Sequence, residues 1–492
     1  MNTVFICLGG TGTQLGCAIG NLYPLLQLSG IKEKPFSMFI MDKDTNSGIF
    51  KACTGAFQRY QDSRDLLPFD TLPPYELKHD VYQEMQKSAK LYNKNYTVMD
   101  LIGNEPADPV KELAAMCWTD VKRNESLYDG NNRDPSRGSL DASVCLEHFE
   151  QSSLFIKLQS LKEKVGENDI RVVILGGVTG GMGSSLIVPL AKKIRTSFSK
   201  LRIDMVLLGT YFEIPQRKTP PPGTVDVDNI GTSLDSFYRA ADQIEELIEV
   251  ADNNWRVYYT AMPGFDNTAG EFAKNKALPR KAHLLELTAA LAAFVIGEEN
   301  SKPGFYQTSL SFGDDDRNFI DWTDIPQGNK LKKNTENFLK LVSVVVCMIY
   351  PALCADTKNI RGDNYLKKYF KKNPADEMEI IGNMRDILKV WLQNIKSYFE
   401  FWNEIQNCTR LGFKDGKKLV NLFNHDDMDK LSRILGSEQA DTNEKLPLYG
   451  GKRWLNFIDD LNPDKELKNV FDARAKLKGM FKDIWNIYYK EG

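Results

Sequence analysis

Two segments of this chain combine an apolar strand, a glycine cluster and a helix, a combination suited to binding phosphate groups. In the first, the run Val4–Leu8 leads into glycines at positions 9, 10, 12 and 16. In the second, the run Val172–Leu175 leads into glycines at positions 176, 177, 180, 181 and 183, interrupted by Thr179, Ser184 and Ser185. Because glycine lacks Cβ, such turns can bring backbone N–H groups and a helix N-terminus close to an anion. Together the two loops predict a polyphosphate site.

Each loop also has a simpler interpretation, a strand-to-helix turn that binds no ligand. A further alternative concerns the first loop alone: Gly10, Gly12 and Gly16 fit a loosened dinucleotide fingerprint, and Asp42 follows the next strand, where an acid would bind ribose. That alternative predicts a dinucleotide-dependent oxidoreductase, but it leaves the glycines at 176–183 unexplained. Neither loop ends in the Gly-Lys-Ser/Thr of a P-loop.

Composition excludes several classes of function. The 492 residues are 42% hydrophobic and 26% charged, as expected for a globular chain of two or three domains. A net charge of −3 does not favour nucleic acid as a partner. Eight cysteines without a CxxC pair, together with four histidines, argue against zinc and favour reduced thiols in the cytoplasm.

Targeting and membrane segments are not expected. The apolar stretch VFICL near the N-terminus is too short for a signal peptide and lacks a basic leader. The longest apolar run, Leu341–Ala355, contains Ser343 and Pro351 and is shorter than the roughly 20 residues that span a bilayer. We expect this run to form a buried helix.

The order of apolar runs predicts an α/β fold. The runs VFICL, SMFIM, RVVIL, IDMVLLGTYF and WRVYYTAM alternate with helical patterns, which indicates a parallel sheet with helices on both faces. Ligands bind at the carboxyl ends of the strands in such sheets, where both glycine loops lie. From about Lys330 onward the spacing of Leu, Trp and Phe becomes helical, so the C-terminal third is expected to be mostly α.

Over residues 1–326 the chain resembles, in order, the tubulin/FtsZ superfamily of GTP-binding proteins. GGTGTQLG at 9–16 resembles the tubulin loop GQAGVQIG, and MDKDT at 41–45 resembles VDLEP. DGNNRDPSRG at 129–138 resembles the γ-phosphate loop GAGNNWAKG, and LGGVTGGMGSS resembles the GGGTGTG signature with Val178 in place of one glycine. The resemblance implies a Rossmann-like GTPase domain of tubulin/FtsZ type that binds GTP or GDP with Mg²⁺.

The resemblance also implies roles for individual residues. Gln14 would meet the base, Asp42 and Asp44 would act near the magnesium, and YFEIPQR at 211–217 resembles FEGKKR, which assigns Glu213 and Arg217 to ribose and phosphate contacts. The helix at 281–297 resembles the long central helix, with His283 at its base-binding end, although a core histidine in a buried helix is an equal alternative. The full implied nucleotide-binding set is Gly9, Gly10, Thr11, Gly12, Thr13, Gln14, Asn131, Asn132, Gly138, Gly176, Gly177, Val178, Thr179, Gly180, Gly181, Met182, Glu213, Arg217, Asn267 and His283.

The segment NFIDWTDIP at 318–326 resembles the family segment that follows the central helix and enters a neighbouring subunit's nucleotide site. It would place Asp321 and Asp324 where acids polarise the attacking water. Without that resemblance, an acidic loop of this kind is usually a solvated surface. The insert at 298–317 is longer than the usual connection in the family.

These observations predict a GTP-binding domain at 1–279, a central helix at 280–298, a catalytic inter-subunit loop at 299–329 and a divergent helical domain at 330–492. The predicted function is a GTPase that hydrolyses GTP to GDP on head-to-tail self-assembly into filaments. The alternative is a non-polymerising nucleotide-gated switch, for example in membrane remodelling or defence, because the mixed α/β second domain of the family is not traceable after Lys330. The C-terminal helices would then bind a protein partner or a membrane surface.

Overall fold

A computed structural model gives the positions of residues 1–28, 36–67, 76–92, 95–103, 108–127, 135–178, 181–209, 242, 245, 255–261, 282–298, 302–309, 320–325, 328–355, 364–370, 377–406, 420–437, 461, 463 and 465–490. Within these residues the chain is an α/β structure built on a parallel sheet, as the alternation of apolar runs predicts.

In the described residues the sheet has seven strands, and every neighbouring pair is parallel. In spatial order the strands are β3-β2-β1-β4-β5-β6-β7. The order reverses between β1 and β4, and such a reversal leaves a crevice at the carboxyl ends of the two strands. The five predicted strands are present; β3 and β7 were not predicted. The strands are β1 (Asn2–Leu8), β2 (Ser37–Met41), β3 (Glu76–Lys78), β4 (Ile170–Gly177), β5 (Arg202–Leu208), β6 (Trp255–Ala261) and β7 (Gly304–Ser309).

Helices cover both faces of the sheet and form the described part of the C-terminal third. They are α1 (Gly9–Leu28), α2 (Gly48–Ser63), α3 (Val81–Ser88), α4 (Val98–Ile102), α5 (Asp108–Cys117), α6 (Asp120–Asn124), α7 (Pro135–Leu146), α8 (Ser153–Val165), α9 (Gly183–Ser197), α10 (Leu284–Glu298), α11 (Gly328–Val344), α12 (Tyr350–Cys354), α13 (Asn364–Tyr369), α14 (Met378–Gln406), α15 (His425–Ser437) and α16 (Ala473–Lys490).

The two faces of the sheet bury separate hydrophobic cores, because successive side chains of a strand point to opposite sides. Phe5 and Cys7 of β1 face a core shared with α1, α2, α10 and the C-terminal helices. Val4 and Ile6 face a second core with α3, α7, α8 and α9. The buried strands therefore read as continuous apolar runs in the sequence.

The C-terminal helices form a second layer over α1 and α2. Phe338 of α11 packs edge-to-face on Tyr398 of α14, with ring centroids 5.1 Å apart. The Asn394 amide of α14 donates a hydrogen bond of 3.5 Å to the Ser63 hydroxyl of α2. These helices thus belong to the same hydrophobic core as one face of the sheet.

The apolar run expected to be a buried helix lies in a longer helical segment. Helix α11 continues through a π-helical turn (Val345–Ile349) into α12. The segment Leu331–Cys354 is long and apolar enough to cross a membrane, but 72% of its most apolar window is buried inside the structure. It therefore has the environment of a core helix, as predicted.

Helix α10 and strand β7 run in opposite directions along the sheet. Near the end of α10, the Ala293 carbonyl accepts a hydrogen bond of 2.9 Å from the guanidinium of Arg171, at the start of β4. Strand β7 then runs back parallel to β6, from the Gly304–Arg256 pair to the Ser309–Ala261 pair. The start of α10 and the end of β7 therefore both lie at the carboxyl edge of the sheet.

Candidate functional site

The two glycine loops meet at the crevice between β1 and β4. Strand β1 passes directly into α1 at Gly9, whose φ of +63° suits glycine. A Cβ on Gly9 would lie 3.1 Å from the backbone nitrogen of Gly183, the first residue of α9. The N-termini of α1 and α9 are therefore in direct contact.

Part of the glycine pattern is explained by this contact between the loops. A Cβ on Gly12 would overlap the Leu175 carbonyl oxygen of β4. A Cβ on Gly177 would lie 2.9 Å from the Thr11 hydroxyl of the first loop. Glycine at these positions lets the two helix N-termini approach each other, whether or not a ligand is bound.

A third helix N-terminus, on the same face of the sheet as α9, reaches the same place. Gly138, in the first turn of α7, lies so close to the second loop that a Cβ would overlap the Gly181 carbonyl oxygen. The Ser185 hydroxyl of α9 donates to that same carbonyl. Helix α7 thus packs directly against the second glycine loop.

The three converging helices share a charge pattern that several other described helices also have. The first turns of α1, α7 and α9 contain no acidic residue, whereas those of α3, α4 and α6 contain Glu84, Asp100 and Asp120. Acidic side chains in the first turn offset the positive end of the helix dipole and the unpaired N–H groups. Their absence from all three helices leaves a positive potential, which favours an anion.

Asp42 lies beside this positive region, one strand away. Met41 pairs with Leu8 in the sheet, so Asp42 follows β2 at the level where Gly9 follows β1. Burial raises the pKa of the Asp42 carboxyl from 3.8 to about 7, although its Oδ1 accepts a hydrogen bond of 3.2 Å from the Asp44 N–H. A cation near this carboxylate would favour its ionised form.

The side chains at this edge do not make a complete metal cage. No group of three His, Cys, Asp or Glu side chains in the described part of the chain has the arrangement of a metal site. Asp42 and Asp44 are separated by Lys43, and Asp44 is exposed. This suits Mg²⁺, which commonly takes one or two carboxylates and completes its octahedron with phosphate oxygens and water.

His283 lies at the carboxyl edge, directly before α10. The ring Nδ1 of His283 accepts a hydrogen bond of 3.2 Å from the backbone N–H of Leu285. The backbone N–H of His283 donates to Glu286 Oε2 at 3.0 Å. With Nδ1 as an acceptor, the neutral ring carries its proton on Nε2 and can donate there. His283 thus caps α10, and both interpretations made from the sequence, core residue and base contact, are compatible with its position.

Asp321 and Asp324 are engaged in local hydrogen bonds within a short 3₁₀ turn. Asp321 Oδ1 accepts from the Thr323 N–H at 2.7 Å, and Asp324 Oδ2 accepts from the Asp321 N–H at 2.9 Å. Together they form a capping box around Trp322. Capping is a structural role that acids at this spacing fill without any catalytic function.

The location of this turn differs from what the family resemblance implies. The resemblance places the acids at the end of the domain opposite to the nucleotide, but β7 returns the chain to the carboxyl edge. Trp322 packs on Trp402 of α14, with centroids 5.8 Å apart, and Glu404 of the same helix turn accepts a hydrogen bond of 2.7 Å from the Ala282 N–H, next to His283. The acidic turn therefore lies at the same end of the sheet as the glycine loops.

The structure brings together at the crevice the part of the predicted site that lies within the described residues. The described members of the predicted set at the crevice are Gly9, Gly10, Thr11, Gly12, Thr13, Gln14, Asp42, Asp44, Gly138, Gly176, Gly177, Val178, Gly181 and Met182. The predicted contacts that lie outside the described residues are Asn131, Asn132, Thr179, Gly180, Glu213, Arg217 and Asn267.

A buried charge network beside Asp42 was missed at the level of sequence. The Lys43 ammonium lies 2.5 Å from Asp141 Oδ2 of α7, with 2% and 0% of the two side chains exposed. The hydroxyls of Tyr82 and Tyr96 donate to the same carboxylate at 2.6 and 2.8 Å. Burial, followed by the charge of Asp141, raises the pKa of both phenols, and burial lowers the pKa of Lys43. The one signal in the sequence was a lysine between two acids directly after a strand.

Comparison with protein-family models and with curated proteins identifies no relative. The chain matches no protein-family model, and no curated protein is significantly similar to it. The resemblance to tubulin and FtsZ therefore stays a prediction from short motifs. The functional argument rests on the geometry of the crevice.

Proposed function

We propose that this chain binds GTP and Mg²⁺ at the carboxyl edge of its sheet and is a divergent GTPase of tubulin/FtsZ type. The observation that carries the proposal is the convergence of the N-termini of α1, α7 and α9, none of which has an acid in its first turn. Three helix dipoles and the N–H groups of the first helical turns make a site for a multiply charged anion.

Magnesium follows from the carboxylate next to that anion site. A buried Asp42 beside a polyphosphate would repel it unless a divalent cation lay between them. Asp42 would be the residue that holds Mg²⁺ here, and the cation would offset this repulsion and supply the charge neutralisation that phosphoryl transfer requires. The exposed Asp44 would supply a second carboxylate beside it.

Guanine is proposed from two side chains and from the family resemblance. Gln14 is buried in α1 next to the first loop, and its amide can both donate to and accept from a base edge. The Nε2–H of His283 is a donor, and guanine offers acceptors at O6 and N7. The remaining contacts of the resemblance, including Glu213, Arg217 and Asn267, belong to this proposal as residues around the ribose and phosphates.

Two versions of the protein's activity are compatible with this nucleotide site. In the first, turnover of GTP to GDP requires head-to-tail self-assembly, and Asp321 and Asp324 act on the neighbour's nucleotide. In the second, the protein is a nucleotide-gated switch in the cytoplasm whose C-terminal helices contact a protein partner or a membrane surface. The position of the acidic turn, at the same end of the sheet as the glycine loops, favours the second form.

Calorimetric titration with GTP, ATP and NAD tests the proposal. With Mg²⁺ present, GTP is expected to bind at least about tenfold more tightly than ATP, a difference of roughly 1.4 kcal/mol. Chelation of Mg²⁺ should weaken GTP binding. Equal affinities for GTP and ATP would refute guanine selectivity, and tight NAD binding without GTP binding would favour the oxidoreductase alternative.

A further inference from the structure

Lys43 connects two elements that meet the crevice from different sides. Its backbone lies between Asp42 and Asp44, in the turn after β2. Its ammonium pairs with Asp141 of α7 at 2.5 Å. One turn before Asp141, Gly138 of the same helix packs against the Gly181 carbonyl of the second glycine loop. A single side chain thus links the Asp42–Asp44 turn to the helix that supports the second loop.

The environment of the Lys43 ammonium fixes this link in one geometry. The ammonium also donates to the Leu127 carbonyl at 2.8 Å, and it lies 5.8 and 5.2 Å from the ring centres of Tyr82 and Tyr96. Both tyrosine hydroxyls donate to Asp141, so the carboxylate has three donors. A buried charge held by several partners cannot shift without losing hydrogen bonds that water does not replace.

A second contact holds the same turn from α3. The Gln83 amide donates a hydrogen bond of 2.8 Å to the Asp42 carbonyl. Gln83 lies next to Tyr82, so one helix supplies both a ring beside the Lys43 ammonium and the side chain that holds the Asp42 backbone. The Asp42 carboxylate is therefore positioned by contacts on both sides of its peptide unit.

We propose that Lys43, with Asp141, is a positioning residue that holds Asp42 at the distance from the second glycine loop that magnesium–nucleotide binding requires. This role rests on the proposed function. Lys43 does not contact the ligand in it; the lysine acts through the turn and through α7. Outer residues that orient metal ligands typically change metal affinity by about tenfold to a hundredfold when they are replaced.

The variant Lys43→Met/Asp141→Asn tests the role, because it removes both charges and leaves neither unpaired. Replacing a buried ion pair by neutral residues is often nearly neutral for stability, so a folded protein is expected. Lys476→Met is the matched control: it removes another buried lysine, whose ammonium donates to the Tyr369 carbonyl at 2.9 Å among the C-terminal helices. Gln83→Met is a milder second variant that loses the contact to the Asp42 carbonyl alone.

Binding of a fluorescent GTP analogue is measured across a Mg²⁺ titration and in EDTA, with folding checked by circular dichroism. The double variant is expected to need at least about tenfold more Mg²⁺ for half-maximal enhancement of binding, with little change in EDTA; Gln83→Met shifts in the same direction, and Lys476→Met matches the wild type. Unshifted Mg²⁺ midpoints in both variants would overturn the positioning role while leaving the proposed function intact. No nucleotide binding by the wild type would overturn the proposed function, and this role with it.

Discussion

Replacement of Asp42 by asparagine should stabilise the ligand-free protein and weaken magnesium-dependent binding. The Asp42 carboxyl is buried and its pKa is raised from 3.8 to about 7, chiefly by desolvation. The difference is about three pKa units, and each unit corresponds to about 1.4 kcal/mol. The ionised carboxylate therefore costs the ligand-free protein up to about 4 kcal/mol of stability above neutral pH. The neutral amide of the Asp42→Asn variant avoids this cost and can still accept the hydrogen bond from the Asp44 N–H.

The sign of the effect depends on pH in a defined way. Because the folded state raises the pKa of Asp42, the native protein binds a proton there more tightly than the unfolded chain does. The resulting stability is fully present below about pH 3.8 and is lost as the pH rises through about 7. The stability advantage of Asp42→Asn should thus be largest at pH 8 and nearly absent at pH 4.

Urea unfolding in EDTA at pH 8, pH 6 and pH 4 measures this difference through the midpoints of the transitions. Asp44→Asn is the control, because Asp44 is exposed and surface substitutions usually change stability by less than about 0.5 kcal/mol. With saturating Mg²⁺ and GTP the order should reverse, since ligand binding stabilises only the protein that binds it well. A ligand-free Asp42→Asn protein that is no more stable than the wild type at pH 8 would refute the reasoning.

Three further predictions follow from other contacts. Gly177→Val should reduce GTP affinity at least about tenfold in a calorimetric titration, because its Cβ would lie 2.9 Å from the Thr11 hydroxyl. The control Gly382→Ala, where a Cβ meets nothing within 4 Å, should bind GTP as the wild type does. Burial raises the pKa of the Cys7 and Cys53 thiols and raises that of Cys17 to about 12. Iodoacetamide at pH 8 should therefore label the exposed Cys117 and Cys354 in the native state and the three buried thiols only after unfolding. Labelling of Cys7 in the native protein, detected by mass spectrometry, would contradict this. Asp324→Ala should leave GTP affinity nearly unchanged. If the site is complete within one chain, wild-type turnover per molecule should stay constant on hundredfold dilution. Turnover per molecule that rises with protein concentration would instead support assembly.

The parts of the fold that could be predicted are those encoded by short local patterns. The runs of branched apolar residues gave five of the strands because a strand buried on both faces has no polar side to interrupt it. The glycine loops were recognisable because a strand must turn into a helix within a few residues, and glycines 9, 12 and 177 permit close contact there. That both loops lie at one edge of the sheet followed from the rule for the carboxyl ends of parallel strands, whereas the pairing of β1 with β4 came from the structure.

Other parts depend on contacts that are distant in sequence. Lys43 and Asp141 are 98 positions apart, and nothing near either residue predicts that the two side chains pair in the interior. The tyrosines that complete this network come from two further segments. A buried ion pair is defined by tertiary packing, so one sequence offers only the weak signal of a lysine between two acids.

Strand β7 was missed for a different reason. The run Gly304–Ser309 has few aliphatic residues, and the resemblance led to an expectation of a loop after the central helix. A right-handed connection from β6 to β7 would place the intervening helix on the face covered by α9, yet α10 packs in the core that contains α1. The return of the chain to the carboxyl edge through β7 is thus a property of the assembled sheet. The position of the acidic turn depends on that return.

That position limits how self-assembly could complete a catalytic site. In a head-to-tail stack, the carboxyl edge of one sheet domain faces the opposite edge of the next. An acidic segment reaches a neighbour's nucleotide only if it lies at the edge away from its own glycine loops. Asp321 and Asp324 lie at the same end as those loops, linked through Trp322, Trp402 and Glu404 to the start of α10. A neighbour stacked in this way would not bring its nucleotide to these acids, and the role that the structure shows for them is the capping box around Trp322. We therefore favour a self-contained nucleotide switch over a polymer with shared sites.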